Sequence, residues 1–248
     1  MPTDATPRPR PPAPADDWAL FLDVDGCLLD FADRPDAVAV PDALRQRLRA
    51  LAARLDGALA LVSGRSLATL DTLFGPLRLP MAGLHGLERR TADDRVVSAP
   101  PPAPLLAKVR DQARRIADGY PGAVVEDKGA ALALHWRQAP SAGEALRAFA
   151  DAALPWLHGY RLQPGDQVVE LRPATADKGD AIEAFLGEAP FAGRRPVFAG
   201  DDLTDEHGFE VVNARGGTSI LVGARRGSVA RFGLRDPGDV RAWLGETA

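Results

Sequence analysis

The chain has 248 residues, 46% of them hydrophobic and 26% charged, an ordinary composition for a soluble globular protein. The length suits one larger domain or one domain carrying an insert. A formal net charge of -4 and an isoelectric point of about 5.6 favour neither nucleic acid nor an anionic membrane as partner. An anionic substrate therefore has to be held by local positive charge or a metal. The single cysteine, Cys27, excludes an intrachain disulfide and fits a reducing compartment. The four histidines (His85, His135, His158 and His207) are scattered and show no zinc-site spacing. No apolar stretch approaches membrane length, and the N-terminus lacks the apolar core of a signal peptide. A cytoplasmic protein is expected.

Residues 1–16 are dominated by Pro, Ala and polar side chains, too little apolar area to order themselves, and are expected to form a disordered tail. From Trp18 the pattern alternates. The apolar run Leu20-Phe21-Leu22 reads as a buried strand ending at Asp23. A helix is predicted from Asp42 to Leu55, with Leu44, Leu48, Leu51 and Leu55 at helical spacing. Asp42 after Pro41 is its start and Gly57 its stop. A second apolar run, Ala58–Val62, ends in Ser63-Gly64-Arg65. A helix follows from Ser66 to Phe74, then a short run from Leu79 to Gly83 leads into His85-Gly86-Leu87-Glu88. The near-continuous proline stretch 99–104 reads as a hinge. Beyond it a helical stretch, Leu105–Asp118, precedes strand-like Val124–Glu126 and Ala131–His135. A helical stretch, Pro140–Leu157, precedes strand-like Val168–Leu171. The first rhythm then resumes: a helix over 177–186, a strand over 196–199 ending in Gly200-Asp201-Asp202, a strand over 219–222 and a last helix over 239–244. Strands alternating with helices predict an α/β fold with a doubly wound parallel sheet. Residues 17–102 and 173–248 are assigned to this core and 103–172 to an inserted small α+β cap domain.

Four places in this pattern carry chemistry. Strand period puts Asp23 and Asp25 on the same side at a strand's carboxyl end, where ligands of open α/β sheets bind. Two carboxylates there repel each other unless a cation or a shared proton offsets them, and Gly26 permits a sharp turn just after. Asp23 can attack phosphorus as a nucleophile, and Asp25 can protonate the leaving alcohol and later activate water. Ser63, with backbone amides at a helix start, suits phosphate oxygens. Lys178 supplies a compact point charge against the phosphate. Gly200-Asp201-Asp202 completes a Mg2+ site with Asp23 and the Asp25 backbone carbonyl, since Mg2+ takes hard oxygen ligands in an octahedron at roughly 2.0–2.1 Å. Each element alone has a plainer reading. Asp-x-Asp-Gly occurs in calcium loops and turns, although the spacing of an EF-hand loop is missing here. Four acids within residues 201–206, after a buried strand, are a poor structural choice without a cation.

In this order and context, the segments 23–28, 63–65, 177–179 and 200–206 resemble the signatures of the haloacid dehalogenase-type phosphatases. More closely, the chain from Trp18 to Leu244 resembles the trehalose-6-phosphate phosphatases. The resemblance is carried by Gly200-Asp201-Asp202-Leu203-Thr204-Asp205-Glu206, by Gly83-Leu84-His85-Gly86-Leu87-Glu88, by Val125-Glu126-Asp127-Lys128 with His135-Trp136-Arg137, and by Val169-Glu170-Leu171-Arg172-Pro173 with Lys178-Gly179. It implies a Rossmann-like core, a small cap that closes over the sugar, Mg2+ as cofactor, and release of trehalose and phosphate. It further implies that Glu126, Lys128 and Glu170 hold sugar hydroxyls. Carboxylates accept from hydroxyls and the ammonium donates to them; the plainer alternative is a surface Glu126–Lys128 ion pair. Gly64 and Arg65 join Ser63 at the phosphate, Arg137 and Arg172 serve the rim, and His85 and Glu88 orient the loop facing the cap. Coupling to a trehalose-6-phosphate synthase is implied, and a monomer is expected.

Cys27 stands where this motif usually carries threonine, which leaves the nucleophile untouched but alters the donor in the loop. An accessible thiol there predicts sensitivity to thiol reagents. A phosphatase for another sugar phosphate, a phosphotransferase or mutase, and a non-catalytic sensor all stay open at this point; the paired nucleophile and acid argue against the last.

Overall fold

The computed structural model describes residues 8–30, 38–97 and 104–246; of the proline stretch read as a hinge, all but Pro104 lies outside them. Two compact units divide the chain, Met1–Val97 with Ala176–Ala248, and Ser98–Thr175. The first stretch contributes β1 (Trp18–Leu22), α1 (Asp42–Arg54), β2 (Leu59–Val62), α2 (Leu67–Phe74), β3 (Met81–Gly83), β4 (Glu88–Arg90) and β5 (Val96–Val97). The second unit holds α3 (Leu106–Ala117), β6 (Val124–Asp127), β7 (Leu132–His135), α4 (Gly143–Ala153), β8 (Tyr160–Gly165) and β9 (Val168–Pro173). The returning stretch supplies α5 (Lys178–Leu186), β10 (Arg195–Gly200), α6 (Glu206–Ala214), β11 (Thr218–Val222), β12 (Phe232–Leu234) and α7 (Pro237–Trp243).

The first unit is built on an eight-stranded sheet ordered β12-β11-β10-β1-β2-β3-β4-β5. From β12 to β3 every pairing is parallel; β4 and β5 add an antiparallel edge. β1, β2 and β11 are buried along their whole length, which explains why they read as continuous apolar runs rather than alternating ones. The chain steps outward from β1 in one direction through β2 and β3, and in the other through β10 and β11. Right-handed crossovers then put α1 and α2 on one face and α6 on the other, where α5 packs on α6. This is the doubly wound α/β fold expected. Its order reverses between β1 and β10, and that reversal opens a crevice at the strands' carboxyl ends. An aromatic cluster of Phe21, Phe185 and Phe191, with ring centroids 5.1 to 6.0 Å apart, fastens α5 to β1.

The second unit is an antiparallel sheet ordered β6-β7-β9-β8. One face packs against α3 and α4 through Leu132, Leu134, Val169, Leu171, Leu146 and Ala150. The helix predicted over 140–157 is instead a 3-10 turn at Pro140–Ala142, α4, and a second 3-10 turn at Leu154–Trp156. Pro155 lacks the amide that would continue α4 through the second turn.

Residues 8–16 correct the expectation of a disordered tail. Pro11 and Pro14 are buried. The Arg8 guanidinium donates to Ala230 and Ser228 carbonyls, Gly233 N–H donates to Pro9, and Trp243 Nε1–H donates to Pro12 at 2.8 Å. Arg10 bridges Asp239 and Glu246, each at 2.8 Å. Proline gives up little conformational freedom on ordering, so a proline-rich segment of this kind can be pinned by its carbonyls and two arginines despite its composition.

Candidate active site

Asp23 follows β1 directly, its N–H bonded to the Ala199 carbonyl of β10 at 2.9 Å. Lys178, at the first turn of α5, reaches the same point. Its Nζ donates to Asp23 Oδ1 at 2.9 Å and to Asp205 Oδ1 at 2.7 Å. All three are withdrawn from water, with exposures of 4% for Asp23, 2% for Lys178 and 0% for Asp205. Asp177 caps α5 in a capping box with Asp180, and His207 Nδ1–H donates to Asp177 Oδ1 at 2.6 Å, which fixes the turn that carries Lys178. Asp205 Oδ2 accepts from the Asp201 and Asp202 amides at 2.9 and 3.0 Å, so one carboxylate folds the acidic loop back on itself. Asp202 in turn accepts from Thr204 N–H and Oγ1–H.

Asp25 sits one residue before Gly26, whose φ of 82° makes the sharp turn. Both Asp25 oxygens accept from Arg65, from Nε and Nη2 at 2.7 Å each, a two-pronged charge-assisted fork. Ser63 follows β2 directly, and its Oγ accepts from Arg65 N–H at 3.1 Å. Gly64 has no room for a side chain, because a Cβ would stand 2.6 Å from His85 Nε2. His85 itself is left-handed, with φ 55°, as is Leu84 with φ 50°, an uncommon state for residues with a Cβ. The His85 N–H donates to Ser63 O at 2.9 Å. His85 therefore braces the Ser63-Gly64-Arg65 turn from below, and the Glu88 carboxylate takes the Leu67 amide at the start of α2.

Cys27 is fully buried, and its thiol donates to the Ala199 carbonyl at 3.4 Å. Burial and the Asp23, Asp201 and Asp205 carboxylates push it well above its usual range. The condition on which reagent sensitivity was expected, an accessible thiol, is not met, because Cys27 is buried.

The charges do not balance. Burial raises Asp23 well above the carboxylate range; Lys178 offsets part of this, and Asp201 and Asp202 add to it. Burial and neighbouring carboxylates push Asp201 up to about 7 and Asp205 up to about 8. Lys178 pays the burial penalty of its own charge, yet Asp205 and Asp23 hold its ammonium well above the usual range. Asp23, Asp201 and Asp205 each offer a carboxylate oxygen, all within 4.8 Å of one another. Asp201 Oδ1 is buried with no hydrogen bond among the described residues. Several hard oxygen donors short of positive charge fit a divalent cation of the Mg2+ type.

In the second unit, the strand register places Glu126, Ala133, Glu170 and Gln163 in one row across β6, β7, β9 and β8, on the face opposite the hydrophobic cluster. Lys128 Nζ pairs with Glu170 Oε2 at 2.9 Å, not with Glu126, as the plainer alternative had it. His135 Nε2–H donates to Glu126 Oε2 at 2.9 Å. Arg172 is fully buried opposite Arg161. Arg137 lies beyond β7 and pairs with Asp166 at the β8–β9 turn, at the other end of the sheet from the Lys128 turn.

A family model described as trehalose-phosphatase matches residues 21–236. The chain belongs to the trehalose-phosphatase family. It is 50% identical to a probable trehalose-phosphate phosphatase of Sinorhizobium fredii over 210 residues, 84% of this chain and 78% of that one. It is 45% identical to the trehalose-6-phosphate phosphatase of Escherichia coli K12 over 227 residues, 92% and 85% of the two chains. A crystal structure of a trehalose-6-phosphate phosphatase related protein matches with a TM-score of 0.73 at 26% identity, over 91% and 94% of the chains. The C-terminal domain of the Candida albicans trehalose-6-phosphate phosphatase matches with a TM-score of 0.83 at 22% identity, over 98% of each chain, and so carries the fold alone. A haloacid dehalogenase-like hydrolase of Bacteroides thetaiotaomicron, at 13% identity and a TM-score of 0.67 over 91% and 97% of the chains, shares the fold.

Membership of the trehalose-phosphatase family implies a divalent metal, in keeping with the acidic cluster. Several supporting residues have weak sequence signals or none. Asp205 stands out only through the density of acids after β10. Arg225, beyond β11, donates to the Asp201 carbonyl at 3.3 Å and the Asp202 carbonyl at 3.0 Å and pairs with Glu206; a lone arginine in a loop announces nothing. His207 is visible only as a histidine at the second position of α6.

Proposed function

We propose that the protein hydrolyses trehalose 6-phosphate to trehalose and phosphate through an aspartyl phosphate, with Mg2+ as its cofactor. The observation that carries this reading is the buried Lys178 bridging Asp23 and Asp205 where β1 and β10 end. A nucleophilic carboxylate, a fixed cation and metal-type donors held out of water at one sheet end suit displacement at phosphorus. The names of the Sinorhizobium and Escherichia relatives support the substrate.

Lys178 holds Asp23 Oδ1 and leaves Oδ2 to attack. As the Oδ2–P bond forms, the ester P–O bond breaks, and Asp25 gives its proton to the departing trehalose oxygen. Asp25 then takes a proton from a water whose oxygen attacks phosphorus; the Oδ2–P bond breaks, phosphate leaves and Asp23 is restored. Because Arg65 occupies both Asp25 oxygens, this role requires the fork to open when substrate arrives. An Arg65 that has let go of Asp25 can meet a phosphate oxygen, beside Ser63 Oγ, the Gly64 turn and the amides that start α2. Asp23 and Asp201, with the Asp25 carbonyl or Asp205, are the residues to hold Mg2+, which when bound offsets the repulsion between carboxylate and anionic ester. Glu126, Lys128 and Glu170 are proposed to take the sugar hydroxyls, with Arg172 and Arg137 as outer contacts. A cytoplasmic, monomeric enzyme coupled in function to a trehalose-6-phosphate synthase completes the proposal; no helix among the described residues is long and apolar enough to cross a membrane.

Phosphate release from trehalose 6-phosphate, glucose 6-phosphate and sucrose 6-phosphate, in Mg2+ and in chelator, tests this. Mg2+-dependent preference for the trehalose ester is the expected result. Even turnover of all three overturns the substrate, and no turnover overturns the enzyme.

A further inference from the structure

β7 runs between β6 and β9, and its residues alternate between two environments. Leu132 and Leu134 face the hydrophobic cluster, so Ala133 and His135 face the other way. In register Ala133 stands between Glu126 and Glu170. The two glutamates are thus two strand spacings apart, roughly 9–10 Å between backbones, with only a methyl group on the floor between them. Each is tied to its own basic partner on the same face, Glu170 to Lys128 at 2.9 Å and Glu126 to His135 at 2.9 Å. Lys128 stands only two residues from Glu126, and without a second partner the Glu126 carboxylate would swing toward that ammonium and narrow the gap.

We infer that His135 is a positioning residue for sugar recognition: its Nε2–H holds Glu126 Oε2 and presents Oε1 to a sugar hydroxyl. This rests on the reading of the cap face given above. Oε1 of Glu126 has no hydrogen bond among the described residues. The pair is open to a ligand, with side-chain exposures of 29% for His135 and 41% for Glu126. A pair so exposed contributes little to folding, so stability alone gives it no reason to be there. Burial opposes the charge on Glu126, but the His135 hydrogen bond and Lys128 outweigh it and leave the carboxyl below its usual range, as an acceptor of hydroxyl protons should be. An imidazole suits the task because it donates one N–H along a fixed direction and is too short to reach across Ala133 and fill the gap itself.

The test compares the full-length parent with His135→Ala, His135→Gln, Glu126→Ala and the double Glu126→Ala/His135→Ala variant, on trehalose 6-phosphate and on p-nitrophenyl phosphate, which has no sugar. His135→Ala is expected to raise KM for the trehalose ester about five- to tenfold with kcat within about twofold, in line with loss of one charge-assisted hydrogen bond. The ratio of kcat/KM between the two esters falls by the same factor. His135→Gln, whose side-chain amide can still donate to Oε2, restores most of it. The double variant is no worse than Glu126→Ala, because the imidazole acts through that carboxylate. If Glu126→Ala raises KM and His135→Ala does not, or if the two losses multiply, the role of His135 is overturned. If Glu126→Ala leaves KM unchanged in an enzyme that prefers the trehalose ester, the reading of the cap face fails first and the role of His135 falls with it.

Discussion

Replacing Asp23 with asparagine separates what the site does from what it costs to fold. The two side chains have nearly the same shape, and the amide oxygen can still accept from Lys178, so packing at the end of β1 is kept. Phosphate release should vanish, because an amide is no nucleophile toward phosphorus. The stability change is a contest between two terms. A carboxyl raised above its unfolded value binds its proton more tightly when folded, so its ionisation at neutral pH destabilises the fold, by about 1.4 kcal/mol for each pH unit. Burial, Asp201 and Asp202 raise Asp23 in this way even after the pull of Lys178 is counted. Against this, exchanging a charged hydrogen bond for a neutral one loses about 1 kcal/mol. The first term wins, so in chelator the variant melts at or above the parent, with about 2–4 °C for each kcal/mol in a chain of this size. Added Mg2+ reverses the order. At a hundredfold excess over its dissociation constant it stabilises the parent by about 2.7 kcal/mol, or roughly 5–10 °C at that slope. The variant, lacking one of three clustered carboxylates, gains less than half as much. Thermal melts in chelator and across a Mg2+ series read both effects. A variant melting more than about 5 °C below the parent in chelator would mean that Lys178 alone balances the cluster. Equal gains from Mg2+ would remove Asp23 from the ligand set.

The other predictions concern regions the acidic cluster does not report on. Arg10, against the opposing effect of burial and with help from Arg235, holds Asp239 down at about 2. A depressed carboxyl stabilises above its unfolded value of about 3.9 and loses that contribution as pH falls toward 2. Arg10→Ala should therefore lower stability at pH 7 by about 1–2 kcal/mol, discounted because Arg10 is half exposed. Melts should show that deficit shrinking between about pH 4 and pH 2; a constant deficit would leave the anchor with no electrostatic part. Cys27 should resist maleimide labelling until the protein unfolds, and Cys27→Thr should keep the fold and the activity. Labelling at the rate of an exposed thiol would contradict its burial. Arg225→Ala should weaken Mg2+ binding about tenfold by calorimetry, the usual effect of removing a support behind metal ligands. Unchanged affinity would mean that the acidic loop holds its shape without it.

The core could be read because its signals are strong and local. β1, β2 and β11 are buried on both faces, so their apolar runs are unbroken, and α1 shows its leucines at helical spacing. Asp23, Ser63, Lys178 and Asp201 could be placed because each follows such a run or starts the helix after it, and a parallel sheet gathers those ends in one crevice. What escaped lacks a local signal. β8 reads Tyr-Arg-Leu-Gln-Pro-Gly, an edge strand with an internal proline, and is a strand only because β9 pairs with it along its length. α6 begins inside the acidic motif, where the acids draw attention from Phe209 and Val212, which bury it. Arg225 reaches the Asp201 and Asp202 carbonyls across more than twenty residues of chain. Residues 8–16 failed a composition argument because composition counts apolar area and not the carbonyls that Trp243 and Gly233 use.

The rules of folding are broken in several places, and three of the breaks lie at the candidate site. A lysine and two aspartates are almost fully buried together, although ionised groups are rarely enclosed in this way. Leu84 and His85 hold left-handed backbones in succession, where each costs the fold on the order of 1 kcal/mol or more. Gly64 is pressed against an imidazole that admits no Cβ. None of these stabilises the sheet, and each is held in place by elements that do: β1 and β10 carry Asp23, the capped turn of α5 carries Lys178, and the Ser63 carbonyl carries His85. A fold that can tolerate this much local penalty has to be stable elsewhere, and the extensively buried sheet provides that reserve. The same reasoning separates Lys178 from Arg10, although both are basic residues bridging two acids. Arg10 is exposed and its loss weakens a strap. Lys178 is enclosed with more carboxylates than it can neutralise, a deficit of positive charge that a divalent cation among Asp23, Asp201 and Asp205 would offset.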